Sequence, residues 1–173
     1  GGWTVAALVQ SNFGRRHQFT LAGVPIGKHL KDGMLWPVSE DPFAQESGSL
    51  IVIIATDAPL LPHQLKRLAK RAALGMARTG SMGGNGSGDI FLAFSTANVN
   101  AAHGDEKGIS NIQTLSNDHL DPLLASSALA TEEAIINSMV AAESMTGNKD
   151  VNVQALPHEE VRDILRQHNR LNQ

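Results

Sequence analysis

The run Leu50-Ile51-Val52-Ile53-Ile54-Ala55 constrains this chain more than any other stretch. It is unbroken, apolar and rich in β-branched side chains, which pack well on a pleated surface and poorly in a helix. It reads as a central strand buried on both faces. Such a strand needs partners beside it and layers above and below. Thr4 to Val9 supplies a second buried strand, ending in Gln10-Ser11-Asn12. Asp89 to Ser95 supplies a third. Gln18 to Leu21 alternates and meets the turn Ala22-Gly23-Val24-Pro25, which leads to a short strand near Ile26.

Helical periodicity fills the gaps. Leu65, Leu68, Ala69, Ala72, Ala73 and Met76 recur at three- and four-residue spacing, with Lys66, Arg67, Lys70 and Arg71 as a solvated face. Pro62 suits the first turn of that helix, and Gly80 ends it. Two further helices are predicted, near Leu120 to Ala130 and Thr131 to Met145. Thr131 is the N-cap of the second, with Glu132 and Glu133 favourably placed on the helix dipole. A terminal helix spans Pro157 to His168, with Val161, Ile164 and Leu165 on one face. Residues 31–48 and 97–118 read as loops, the second mobile. Asp57 reads as a helix or turn cap. Strands flanked by helices make an α/β layered architecture, and about five strands in one domain would leave sheet edges or faces open.

Composition narrows the function. The 173 residues are 42% apolar and 18% charged, a globular balance with room for a core. A net charge of −3 argues against nucleic acid or an anionic membrane as partner, and no apolar run approaches the ~20 residues of a membrane span. The absence of cysteine excludes disulfides, thiolate metal sites and a cysteine nucleophile. It leaves the compartment open, cytoplasmic or periplasmic. The chain opens Gly1-Gly2-Trp3, without Met or a signal-peptide pattern, and so reads as a fragment or processed piece. The seven histidines are scattered without metal-ligand spacing, and no metal or cofactor is expected.

Three places could carry chemistry. At Gly48-Ser49 a serine stands between a long loop and the most apolar strand. Gly-Ser is ordinary turn chemistry there. It also suits self-cleavage, in which the Ser49 hydroxyl attacks the unhindered Gly48 carbonyl and frees Ser49 as a new N-terminus. An α-amine ordinarily titrates at about 7.7–8.0, so the freed amine can act as base for its own hydroxyl near neutral pH. The second place is Gly83-Gly84-Asn85-Gly86-Ser87-Gly88-Asp89. It lacks the lysine of a phosphate loop, follows a helix rather than a strand, and has Asn85 where the hydrolase elbow needs glycine. A glycine-rich connection accounts for it, except that Ser87 and Asp89, two apart at a strand entry, face the same way. The third is Asn12, whose side-chain amide could donate to an oxyanion, although Asn is common at strand ends.

Together these pieces resemble one family, the N-terminal-nucleophile β-aminopeptidases, also described as L-aminopeptidase/D-Ala-esterase/amidases. The matching stretches are Val9 to Gly14, Gly48-Ser49 with Ile53 to Leu60, Gly84 to Asp89 with Phe91 to Asn98, and Thr131 to Ala134 with Ala141 to Gly147. Ser87 lies 38 residues after Ser49, as in the family.

The resemblance implies a four-layer αββα sandwich of the self-cleaving type, of which this chain is the C-terminal portion within one domain. It implies cleavage at Gly48-Ser49, so that residues 1–48 end an α chain and residues 49–173 form the β chain. Ser49 would be the nucleophile, Ser87 and Asp89 its partners, and Asn12 the oxyanion donor. The family's acid is Glu or Asp; here it is the shorter one. An upstream segment before Gly1 would carry part of the sheet and much of the substrate pocket. Processed αβ units would form homo-oligomers acting on small peptides, amides or esters with a free amine. A non-catalytic structural module of the same fold is the alternative. Ornithine-acetyltransferase-like enzymes share the self-cleaving logic but use threonine, and Ser49 with Ser87–Asp89 weighs against them.

Overall fold

The structure is a computed structural model that describes residues 2–30 and 48–172. The expected loop at residues 31–48 therefore lies outside the described residues except for Gly48. The chain divides into two compact units. One comprises Gly1–Gln10, Ile51–Met76 and Ile90–Ala134; the other comprises Ser11–Leu50, Ala77–Asp89 and Ile135–Gln173.

Strands β1 (Val5–Asn12), β2 (Ser49–Thr56) and β3 (Ile90–Ser95) form a sheet in the order β1-β2-β3, and most of their residues fall in the first unit. β2 and β3 are parallel, in register from Ile51↔Ile90 to Thr56↔Ser95. Helix α2 (Pro62–Thr79) makes the crossover between them, as a parallel pair requires. Thr56 Oγ1 donates to the Thr4 carbonyl (2.6 Å), so the start of β1 lies at the end of β2. Asp57 accepts from the Thr4 N–H (2.7 Å), which ties the end of β2 to the start of β1 rather than capping a helix.

The apolar run of β2 is covered on one face only. Val52 and Ile54 are fully buried, whereas Ile51 is 40% exposed and Ile53 half-buried. Leu8, Ile90, Leu92 and Phe94 extend the open surface. The expectation of burial on both faces is thus corrected: this chain's helices cover one side. Leu68, Ala69, Ala72 and Met76 of α2 are buried, as their spacing predicts, and so are Leu123 and Leu124 of α3 (Asp121–Ala141). The two helices touch backbone to backbone. A Cβ at Gly75 would stand 2.4 Å from the Ala128 carbonyl oxygen, so no larger residue fits that crossing.

Helix α3 corrects a second expectation. Thr131 does not begin a new helix; it is buried in the middle of one, and its hydroxyl donates to the Ser127 carbonyl one turn back (2.8 Å). Ser127 in turn donates to the Leu68 carbonyl (2.9 Å). The predicted loop at 97–118 is tied at several points: Asn98 and Gln113 exchange two hydrogen bonds (2.9 and 3.0 Å), and the Leu115 N–H donates to the Pro59 carbonyl.

In the second unit, Val24, Ile26, Val161 and Ile164 form a small core with Phe19, Leu21, Leu30, Leu156 and Leu165 around it. Ile26 begins a one-turn helix, α1 (Ile26–His29), rather than a strand. Leu21 and Val24 pair only as an isolated bridge across a turn with Ala22 and Gly23 at positive φ, so no ladder continues to Ile26. Two short strands, β4 (Met145–Thr146) and β5 (Asn152–Val153), pair antiparallel across a turn in which Lys149 and Asp150 both have φ of 58°. Helix α4 (His158–Gln167) buries Val161 and Ile164, in line with its periodicity.

Candidate functional site

The site is built within the second unit, where three stretches distant in sequence converge. Ser49 opens β2, and its Oγ accepts a hydrogen bond from the Gly88 N–H at 3.1 Å. One residue on, the Leu50 N–H donates to Asp89 Oδ1 at 2.8 Å. These two bonds stitch residues 87–89 against the start of β2. The connection ends in a turn closed by the Ser87 N–H on the Gly84 carbonyl (2.8 Å), and extended backbone follows. Ser87 and Asp89 are both half-buried and the intervening Gly88 is exposed, which matches the alternation expected of an extended chain.

The end of β1 forms the other wall. A Cβ built on Gly48 would stand 2.5 Å from the Asn12 carbonyl oxygen and 2.6 Å from Phe13 Cα. Backbone presses on backbone there, and only glycine allows it. The two strands also present their polar residues to one side. Leu50 is fully buried, so Ser49 points to the opposite, open face. On β1 the half-buried Ser11 turns inward and Asn12 is exposed. Asn12, Gly48, Ser49, Gly88 and Asp89 are thus gathered at one end of the β1–β2 pair, with Ser87 in the adjoining turn.

The Gly88 N–H is a member that sequence reasoning did not single out. The only signal was a glycine between two polar residues already marked. Its position matters chemically, because a donor aimed at a hydroxyl oxygen stabilises negative charge as the proton leaves. A Cβ at Gly88 would lie 3.3 Å from Ser49 Oγ, tight against the same atom.

A cavity of about 390 Å³ also lies in this unit, lined by Ser11, Phe13, Phe19, Ile135, Met139 and Leu156 among others. Asn12 borders it, but Ser49, Ser87 and Asp89 do not, so it is distinct from the serine cluster. Among the described residues no group of three or more His, Asp or Glu side chains is assembled that could hold a metal ion. No described helix is long and apolar enough to cross a membrane.

Comparison with known proteins gives the same bearing. The chain is 48% identical over 178 residues to the β-peptidyl aminopeptidase BapA of Sphingosinicella microcystinivorans, covering 98% of this chain and 44% of that protein. It is 42% identical to the BapA of Sphingosinicella xenopeptidilytica, covering 95% and 42%. Its structure is similar to part of the L-aminopeptidase D-Ala-esterase/amidase from Ochrobactrum anthropi, a prototype serine aminopeptidase described as a variant of the Ntn hydrolase fold. There the TM-score is 0.83 at 42% identity, over 98% of this chain and 45% of that one. The chain therefore spans less than half the length of each of these relatives. Peptidase family S58 matches residues 1–153, and the chain belongs to that family.

Proposed function

We propose that this chain is the nucleophile-bearing part of a self-processing serine aminopeptidase or amidase. The observation that carries the reading is the clamp on Gly48-Ser49: Gly88 N–H on Ser49 Oγ, Asp89 on the next peptide N–H, and the Asn12 backbone against Gly48.

In maturation, Ser49 Oγ attacks the Gly48 carbonyl carbon. The hydroxyl proton passes to the departing Ser49 nitrogen, leaving an ester between Gly48 and Ser49. Water hydrolyses the ester, giving a Gly48 carboxylate and a free Ser49 amine and hydroxyl. Residues 1–48 then end the α chain, and 49–173 form the β chain. In turnover, Ser49 Oγ attacks the substrate carbonyl, and its proton moves to the α-amine and on to the leaving group. Asn12 and a backbone N–H hold the oxyanion. Asp89, one residue along from the new terminus, favours and orients the ammonium form, with Ser87 sharing the proton. Water completes the cycle on the acyl-enzyme.

The substrates are small peptides, amides or esters with a free amine, by analogy with the named activities of the relatives. An upstream segment that covers the open apolar face of the sheet, and assembly of processed αβ units into homo-oligomers, belong to the same proposal. Mass spectrometry of the whole protein tests it. A chain starting at Ser49 is expected, and Ser49→Ala is expected to abolish both maturation and turnover. An intact Gly48-Ser49 bond in the unmutated protein would leave a non-catalytic module of this fold.

A further inference from the structure

We infer that Ser11 and Ser138 are a positioning pair for Asn12, holding the end of β1 so that the Asn12 amide faces the Ser49 carbonyl site. This rests on the reading of Asn12 as oxyanion donor. Ser138 sits on α3, and its hydroxyl donates to the Ile135 carbonyl at 2.7 Å. Its proton is thereby committed, so the 3.0 Å contact between Ser11 Oγ and Ser138 Oγ takes Ser11 as donor. The chain of bonds runs Ser11 to Ser138 to Ile135, and it begins one residue from Asn12.

Behind this strand end lies a cavity. Ser11, Ile135 and Met139 all line the 390 Å³ cavity, so the inward side of Ser11 meets open space rather than a filled core. In front, Asn12 and Phe13 bear directly on Gly48. The strand end thus has a hard stop on the side of the scissile bond and, among the described residues, the Ser11–Ser138 side-chain tether on the other. Without the tether it can relax toward the cavity and carry the Asn12 side chain away from the oxyanion. Such a shift weakens transition-state stabilisation and leaves ground-state binding nearly intact.

The test is a double-mutant cycle in the whole, matured protein, with kcat, KM and Tm measured on Ser138→Ala, Asn12→Ala and the double variant. Ser138→Ala is expected to lower kcat by roughly tenfold with KM little changed, a fraction of the effect of a full misplacement. Ser11→Ala removes the same bond from its other end and should give the same loss. Ser138→Thr keeps the hydroxyl and should retain kcat. In the Asn12→Ala background, Ser138→Ala should cause no further loss of kcat, while its Tm shift persists. Asn12→Ala by itself judges the oxyanion reading: an unchanged kcat there overturns that reading and the inference with it. If Asn12→Ala is impaired but Ser138→Ala keeps normal kcat, or loses as much in both backgrounds, the positioning role is overturned and the oxyanion reading stands.

Discussion

On the proposed self-cleavage at Gly48-Ser49, replacing Gly48 with alanine isolates the maturation step from the chemistry that follows. The added methyl would stand 2.5 Å from the Asn12 carbonyl oxygen, 2.6 Å from Phe13 Cα and 3.2 Å from the Asn12 carbonyl carbon. Comfortable carbon contacts lie near ~3.5–4.0 Å. All three obstacles are backbone atoms, so no side-chain rotation relieves them, and the strand end and the scissile peptide must part by about 1 Å to restore ordinary contact. A displacement of that size at a reacting centre costs on the order of 10²-fold in rate. The overpacking itself should cost about 1–3 kcal/mol of stability before cleavage. Once the bond is cut, residue 48 is a chain end and can swing away, so material that does mature should turn over nearly normally. Gel and mass-spectrometric time courses of the precursor, with kcat measured on the matured fraction, give both quantities. Maturation of Gly48→Ala at the unmutated rate, with an unchanged melting temperature, would refute the close-approach argument.

Asp89→Asn keeps an oxygen that can accept from the Leu50 N–H but removes the charge proposed to act on the freed Ser49 amine. It should lower kcat on matured protein by ~10²–10⁴, as should Ser87→Ala, with the double variant little worse than the weaker single. Near-normal kcat with a lowered Tm would make the pair a turn cap. Asp150→Gly should raise stability by about 0.5–1 kcal/mol, since Asp150 sits at φ 58° in the β4–β5 turn, where glycine is unstrained; an unchanged or lower Tm contradicts this. Expressed by itself, the chain should aggregate or bind hydrophobic dyes through Leu8, Ile51, Ile90, Leu92 and Phe94. A soluble monomer that melts cooperatively would count against an uncovered sheet face.

The expectations at Thr131 and Ile26 failed for related reasons. Thr131 followed by Glu132 and Glu133 has the composition of a helix start, yet a threonine hydroxyl inside a helix can satisfy itself on the carbonyl four residues back, as it does on Ser127. Sequence cannot separate the two uses. Ile26 is β-branched and follows a turn, but it is buried against Val161 and Ile164 of α4, and that contact is better met by one helical turn. The loop at 97–118 has no periodicity because its order comes from specific pairs such as Asn98 with Gln113.

What the sequence determined by itself is local. The β-branched run of β2, the apolar stripe of α2 from Leu68 to Met76, and the buried face of α4 all follow from side-chain periods that bury one face of an element. The two-residue spacing of Ser87 and Asp89 is local in the same sense, and Gly48-Ser49 was legible as a junction between unlike textures. Only the tertiary structure decided which of these meet. The Gly88 N–H reaches Ser49 and Asp89 reaches Leu50 across a separation of 39 residues, and Asn12 arrives from another strand. The tether from Ser11 to Ser138 spans 127 residues. Such contacts depend on strand order and on how closely backbones approach, and no residue period encodes either.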